Sequence, residues 1–249
     1  MCRLMGYVAK EGTSVSEFAG ANFVEFKELS DFHRDGWGIV TSDGSSKPEL
    51  LVEPKIAKES SKFSEATSKL TSDAALLHLR WATGGLEVSE GNTHPFVYEQ
   101  YSFIHNGGVF PPDSLDQFVE PKFKSLMRGT TDSERYFYVL MTEIEKYGLG
   151  DGVLSAVRKV RDNCDFSSLN AMLLTPSEFI IINEHNNERI PKGQPDDYYD
   201  LLVRTDEKGV LVASSGWTQD GWKLIANHQV LVIDRSTYAK KEFALQRVT

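Results

Sequence analysis

Cys2 stands one residue behind the initiator methionine, and that position gives a common side chain uncommon chemistry. Once Met1 is removed, a single residue carries both a thiol and a free α-amine. The amine titrates near neutral pH and can take a proton, while a thiol of pKa about 8.5 needs modest help to ionise. Nucleophile and base then share one residue. The other cysteine, Cys164, follows a helical pattern and reads as a structural or incidental thiol.

A second concentration of polar groups runs from His78 to Gly108, where Arg80, a Thr83-Gly84-Gly85 turn, Asn92-x-His94-Pro95 and Asn106-Gly107 crowd into one stretch. Ala74–Leu79 and Tyr101–His105 have the apolar, aromatic and β-branched content of strands, so these polar groups fall at strand ends. Asn106-Gly107-Gly108 follows the second of these strands and by itself predicts a turn, because both Asn and Gly tolerate positive φ. It also offers a side-chain amide and the backbone N–H of Gly107, two donors that can converge on one oxygen as an oxyanion hole requires. Asp132 lies in the first turn of a helix capped by Thr131 and Glu134, where a carboxylate serves either the helix dipole or a substrate ammonium.

The elements that must position these groups follow from periodicity. Arg3–Lys10 predicts a first strand that carries the N-terminus into a sheet. Ser14–Phe32 has helical spacing with Ser14 or Ser16 as cap. The segment 33–39 turns through Gly36 and Gly38 into a strand, and Leu50–Glu53 returns after a turn at Thr41–Lys47. Lys55–Ser72 predicts a solvated surface helix. Phe110–Lys124, with two prolines, predicts a loop positioned to cover the site. Helices follow at 131–144 and Asp151–Asp162, and the remainder is strands at 170–174, 178–183, 199–204, 210–214, 223–225, 230–234 and 241–245. The expected class is α+β, and the absence of repeats or a Gly/Ser linker predicts a single domain over residues 1–249.

Composition narrows the partners. The 249 residues carry a net charge of -9 with 40% hydrophobic content, and no Lys/Arg stripe interleaved with aromatics suggests a nucleic-acid surface. No apolar run reaches the roughly 18 to 20 residues of a membrane span and no leader opens the chain, so a cytoplasmic protein of reduced cysteines is expected. No nucleotide loop and no Cys/His metal spacing is visible, so neither cofactor nor metal is expected.

Taken together, Cys2, His78-x-Arg80-Trp81-Ala82-Thr83-Gly84, Asn92-x-His94-Pro95-Phe96, His105-Asn106-Gly107 and Thr131-Asp132-Ser133-Glu134 resemble the class II glutamine amidotransferases of the N-terminal nucleophile (Ntn) hydrolases. Asp35-Gly-Trp-Gly-Ile39 and the length resemble that family's compact, stand-alone members. The resemblance implies a four-layer αββα sandwich of two mostly antiparallel sheets. It implies Cys2 as nucleophile with its own α-amine as base, and Asn106 and Gly107 as oxyanion donors. Arg80 would hold the α-carboxylate of a γ-glutamyl substrate, Asp132 its α-ammonium, and Trp81 and Thr83 would complete the pocket. His78 and His94 would be supporting residues. Gly84 departs from the pattern of the larger synthases, which often have a histidine there, so substrate contacts at that point would differ.

The implied reaction is hydrolysis of a γ-glutamyl amide, releasing ammonia or an amine and then glutamate, with ammonia either set free or passed to a separate accepting protein. Two other readings are a non-catalytic subunit that binds γ-glutamyl ligands for a partner enzyme, and an Ntn hydrolase of another amide. The Arg80/Asp132 pair weakens the latter.

Overall fold

The computed structural model describes residues 2–82 and 85–245. Two antiparallel sheets lie face to face. The first contains β1 (Arg3–Thr13), β2 (Trp37–Thr41), β3 (Glu49–Glu53), β4 (Ser72–Leu79), β9 (Leu201–Asp206), β10 (Gly209–Ser214) and β11 (Lys223–Leu224), in the order β11-β9-β10-β1-β4-β2-β3. The second contains β5 (Phe96–Tyr98), β6 (Tyr101–Phe110), β7 (Asp165–Leu174), β8 (Glu178–Asn183), β12 (Gln229–Asp234) and β13 (Lys240–Ala244), in the order β13-β12-β8-β7-β6-β5.

Side-chain alternation explains the layering. Leu4, Val8, Ala74 and Leu76 of the first sheet meet Ile104, Met172, Leu174 and Ile181 of the second in a buried core between the sheets. The intervening residues Met5, Tyr7 and Leu77 face outward, where α1 (Val15–Ala19), α2 (Ala21–Glu28) and α3 (Ser61–Lys69) cover them through Phe18, Phe26 and Phe63. On the opposite face Phe103, Leu169 and Leu173 pack beneath α5 (Asp132–Tyr147) and α6 (Leu149–Asn163). The result is the expected α+β sandwich of four layers, αββα.

Several elements differ from the sequence expectation. Asn106-Gly107-Gly108 makes no turn: β6 continues through it to Phe110, in register with Asn170, Leu169 and Ser168 of β7. Pairing with β7 overrides the local turn preference. At Gly107 the reason for glycine is space, because a Cβ there would lie 1.8 Å from the Ser168 carbonyl oxygen. The helix over Ser14–Phe32 is capped by Ser14 as expected but is broken at Gly20, whose φ of 57° divides α1 from α2. The helix expected as a solvated surface element, α3, buries Phe63 and Ala66 against the first sheet.

The stretch after Phe110 is a 3-10 segment, Pro112–Phe118, followed by α4 (Pro121–Lys124). It does not cover the cleft described below. Leu115, Val119 and Phe123 sink into the core beside α5, because their apolar area is worth more packed than exposed. Thr131 caps α5 by accepting from Glu134 N–H, but the Glu134 carboxylate accepts from the backbone of Arg128 and Gly129 instead of closing the reciprocal half of a capping box.

Candidate active site

Register brings the two sequence clusters together. Arg3 of β1 pairs with Leu79 of β4, so Cys2 at the head of β1 lies opposite Arg80 at the end of β4. Alternation puts Cys2 on the same face as Leu4, and Arg80 on the same face as His78, both directed toward the second sheet. Asn106 shares the face of Ile104 and is directed back toward the first. A thiol and an amide from different sheets therefore face one inter-sheet space.

The backbone of β6 adds a donor. Leu169 directs its N–H to Glu184 O on the β8 side, so its opposite number Gly107 is a non-hydrogen-bonded pair whose N–H points away from β7. That edge is open, because β5 pairs only as far as Phe103. Two residues along the same edge, Val109 N–H donates to Asp132 Oδ2 at 2.8 Å. The Gly107 N–H and the Asp132 carboxylate thus border the same strip.

A cleft of about 30 Å³ follows this edge, lined by Cys2, Arg80, Trp81, Ala82, Leu86, Asn92, His94, His105, Gly107, Thr131, Asp132 and Ser133. Of the residues expected from sequence, Cys2, Arg80, Trp81, Gly107 and Asp132 line it. Asn106 does not: its side chain lies behind the lining, buried, with neither Oδ1 nor Nδ2 hydrogen-bonded. Thr83 lies outside the described residues. The cleft has room for about two water molecules, and Trp81 of its lining is 38% exposed.

Each lining group is held from behind. The Cys2 thiol donates to Trp81 O at a sulfur distance of 3.7 Å. Burial pushes this thiol up, opposed by the cationic chain terminus and by Arg80. The Arg80 guanidinium donates to the carbonyls of Glu87 at 3.1 Å and Asp35 at 3.4 Å, and among the described residues its other three N–H groups make no hydrogen bond. Burial pulls Arg80 down, and the proximity of Cys2 and Asp35 partly restores it. Asp35 also accepts from Ala82 N–H through Oδ2, so the segment after Arg80 is tied to the strand-entering turn at 33–36. Trp81 meets His33 edge-on at 5.8 Å.

Three buried histidines back the cleft. His78 and His94 stack at 4.2 Å, and His78 Nε2 donates to His105 O. His105 Nε2 donates to Ser168 O at 3.0 Å, which makes Nδ1 the acceptor of the Ser133 hydroxyl at 2.9 Å. Burial depresses all three, His78 to about 3 and His94 well below its ordinary value. They are neutral at physiological pH, with their rings packed behind the cleft. At Gly38 a Cβ would lie 2.0 Å from His94 O, so its lack of a side chain seats the Asn92–Pro95 segment.

Sequence reasoning missed three positioning groups. Asn92 bridges Glu87 O and Thr130 N–H through its amide, Asp35 anchors Ala82, and Asn170 sits opposite Asn106, accepting from Glu184 N–H and donating to Tyr199 O. Asn92 and Asp35 stood inside recognised motifs, so their polarity beside glycine was a usable signal. Asn170 had none, because its role exists only across the β6–β7 register.

Residues 1–168 match the sequence profile of the class-II glutamine amidotransferases. The chain belongs to this family. The chain is similar to an uncharacterized protein of Methanocaldococcus jannaschii, 25% identical over 261 residues, with 93% of this chain and 69% of that protein covered. It is also similar to a protein of Escherichia coli that carries a glutamine amidotransferase name, 28% identical over 196 residues, covering 73% of this chain and 72% of that protein. Among solved structures, a glutamine aminotransferase class-II domain protein from Silicibacter pomeroyi superposes with a TM-score of 0.70 at 17% identity, over 99% of this chain and 100% of that one. That likeness concerns the fold. No helix among the described residues is long and apolar enough to cross a membrane.

Proposed function

We propose that this class-II amidotransferase hydrolyses a γ-glutamyl amide through Cys2. The observation that supports the reading is that Cys2 and Gly107 line one cleft while the buried amide of Asn106, next along β6, has no hydrogen-bond partner. A buried amide without a hydrogen bond is costly, and a developing oxyanion is the partner it lacks.

After loss of Met1, the α-amine of Cys2 takes the thiol proton as Sγ bonds to the amide carbon. The carbonyl oxygen becomes an oxyanion facing Asn106 and Gly107. Collapse breaks the C–N bond, the ammonium returns its proton to the leaving nitrogen, and ammonia or an amine departs. Water then cleaves the thioester to glutamate, restoring the thiol. At the other end of the substrate, the free N–H groups of Arg80 suit the α-carboxylate, and the Asp132 oxygen not taken by Val109 suits the α-ammonium.

The test is glutamate release from glutamine and from a panel of γ-glutamyl amides by Met1-free protein, beside a Cys2→Ala variant. Release that vanishes in the variant supports the reading. Binding of γ-glutamyl ligands by both proteins with turnover by neither would instead identify a non-catalytic binding subunit.

A further inference from the structure

A cavity of about 510 Å³, well outside the Cys2 cleft, opens between the edge strands of the two sheets, where Leu50 of β3 faces Val97 and Tyr98 of β5. This is the size of an ordinary small-molecule site. Its floor is aromatic: Tyr98 and Tyr138 meet at 6.5 Å, both packed on Phe123 at 5.2 and 5.7 Å. Leu126, 44% exposed, forms an apolar wall.

Its rim is cationic, with Lys47 on one side and Arg128 on the other. The chain has an excess of nine carboxylates, yet neither of these side chains is ion-paired or hydrogen-bonded among the described residues. The one carboxylate of the lining is Glu99; burial, and after it the Glu99 charge, push the neighbouring Tyr98 phenol up. Glu99 is held at this place by a β5–β6 turn in which it takes a φ of 51°, a conformation a non-glycine residue adopts at some cost.

We propose that this cavity is a second ligand site, for a small molecule with a planar ring and one anionic group, a phosphate or a carboxylate. The ring packs on Tyr98 and Tyr138 beside Leu126, and the anion lies between Lys47 and Arg128, whose planar fork matches either oxyanion. The segment from Arg128 to Asp132 runs from this site to the Cys2 cleft. Arg128 N–H is held by Glu134, Thr130 N–H by Asn92, and Arg128 O lies against Gly91, while Asn92 and Asp132 line the cleft itself. A ligand drawing on Arg128 therefore pulls on the loop that seats the γ-glutamyl head site.

Isothermal calorimetry on the Cys2→Ala protein separates this proposal from the catalytic one, since it needs no turnover. The probes are phenyl phosphate and benzoate, with inorganic phosphate and phenol as their parts. The expected result is one-to-one binding of phenyl phosphate, benzoate or both, at least tenfold tighter than either part. Arg128→Gln should weaken it about tenfold, the loss of a charge-assisted pair, and Tyr98→Ala, with the fold confirmed by circular dichroism, should weaken it as well. Binding by one probe and not the other identifies the anion as phosphate or carboxylate. No binding, equal affinity for inorganic phosphate, or indifference to Arg128→Gln would overturn the proposal.

Discussion

Both polar atoms of the Asn106 side chain are buried without a partner, which costs a folded protein about 1–3 kcal/mol for each such group. Asn106→Ala therefore has opposite effects on folding and on chemistry. Its melting temperature should equal or exceed that of the native chain, while turnover falls about a hundredfold or more as an oxyanion donor is lost. Reduced stability with unchanged turnover would assign the amide to folding. The histidines make a second prediction at this scale. His78, held near 3, and His94, held well below 6.5, stay neutral in the folded chain while the unfolded chain protonates them. The unfolded state then binds more protons between those values, so this contribution to stability is complete above about 6.5 and is lost as pH falls toward the folded pKa. The urea midpoint should drop between pH 7 and pH 5, a window above the titration of ordinary carboxylates; a flat midpoint would contradict it.

At the scale of elements, β6 carries the site because its edge is left open beyond Phe103 and its glycine lets β7 approach. Gly107→Ala places a methyl within 1.8 Å of the Ser168 carbonyl, so the strand must move. The expected loss is about 3 kcal/mol or more, near the limit of what overpacked sites show, and poor soluble yield with a melting temperature lowered by many degrees would report it. Loss of the α5 cap is milder: Thr131→Ala should cost about 1 kcal/mol by chemical denaturation. Much of this scale was legible. β1, β4, β8, β10 and the paired helices followed from apolar periodicity, and Cys2, Arg80, Trp81, Gly107 and Asp132 from motif residues that do line one cleft. Asn106-Gly107 as a turn was not, because a local preference for positive φ cannot register the β7 partner that holds the chain extended. Nor could the segment 112–124 be read as core, since its prolines hid a 3-10 path that buries Leu115 and Phe123.

On the scale of the whole molecule, the site depends on the distance between the sheets: Cys2 and Arg80 come from one, Asn106 and Gly107 from the other. Leu4 lies in the core between them and Leu77 on the outer face, both buried. Truncating either to Ala should cost about 2–5 kcal/mol. Leu4→Ala should also lower turnover per folded molecule, because it lets the sheets shift beside Cys2, whereas Leu77→Ala should leave it unchanged. Equal turnover in both would show that sheet spacing does not set the chemistry. The central claim is that Cys2 becomes a terminal nucleophile aimed into a γ-glutamyl pocket. Intact mass and N-terminal sequencing before and after incubation with a diazo-ketone norleucine analogue of glutamine test it most directly. The account predicts a chain that begins at Cys2 and gains a single adduct on that residue. A chain that keeps Met1 and gains none would contradict it.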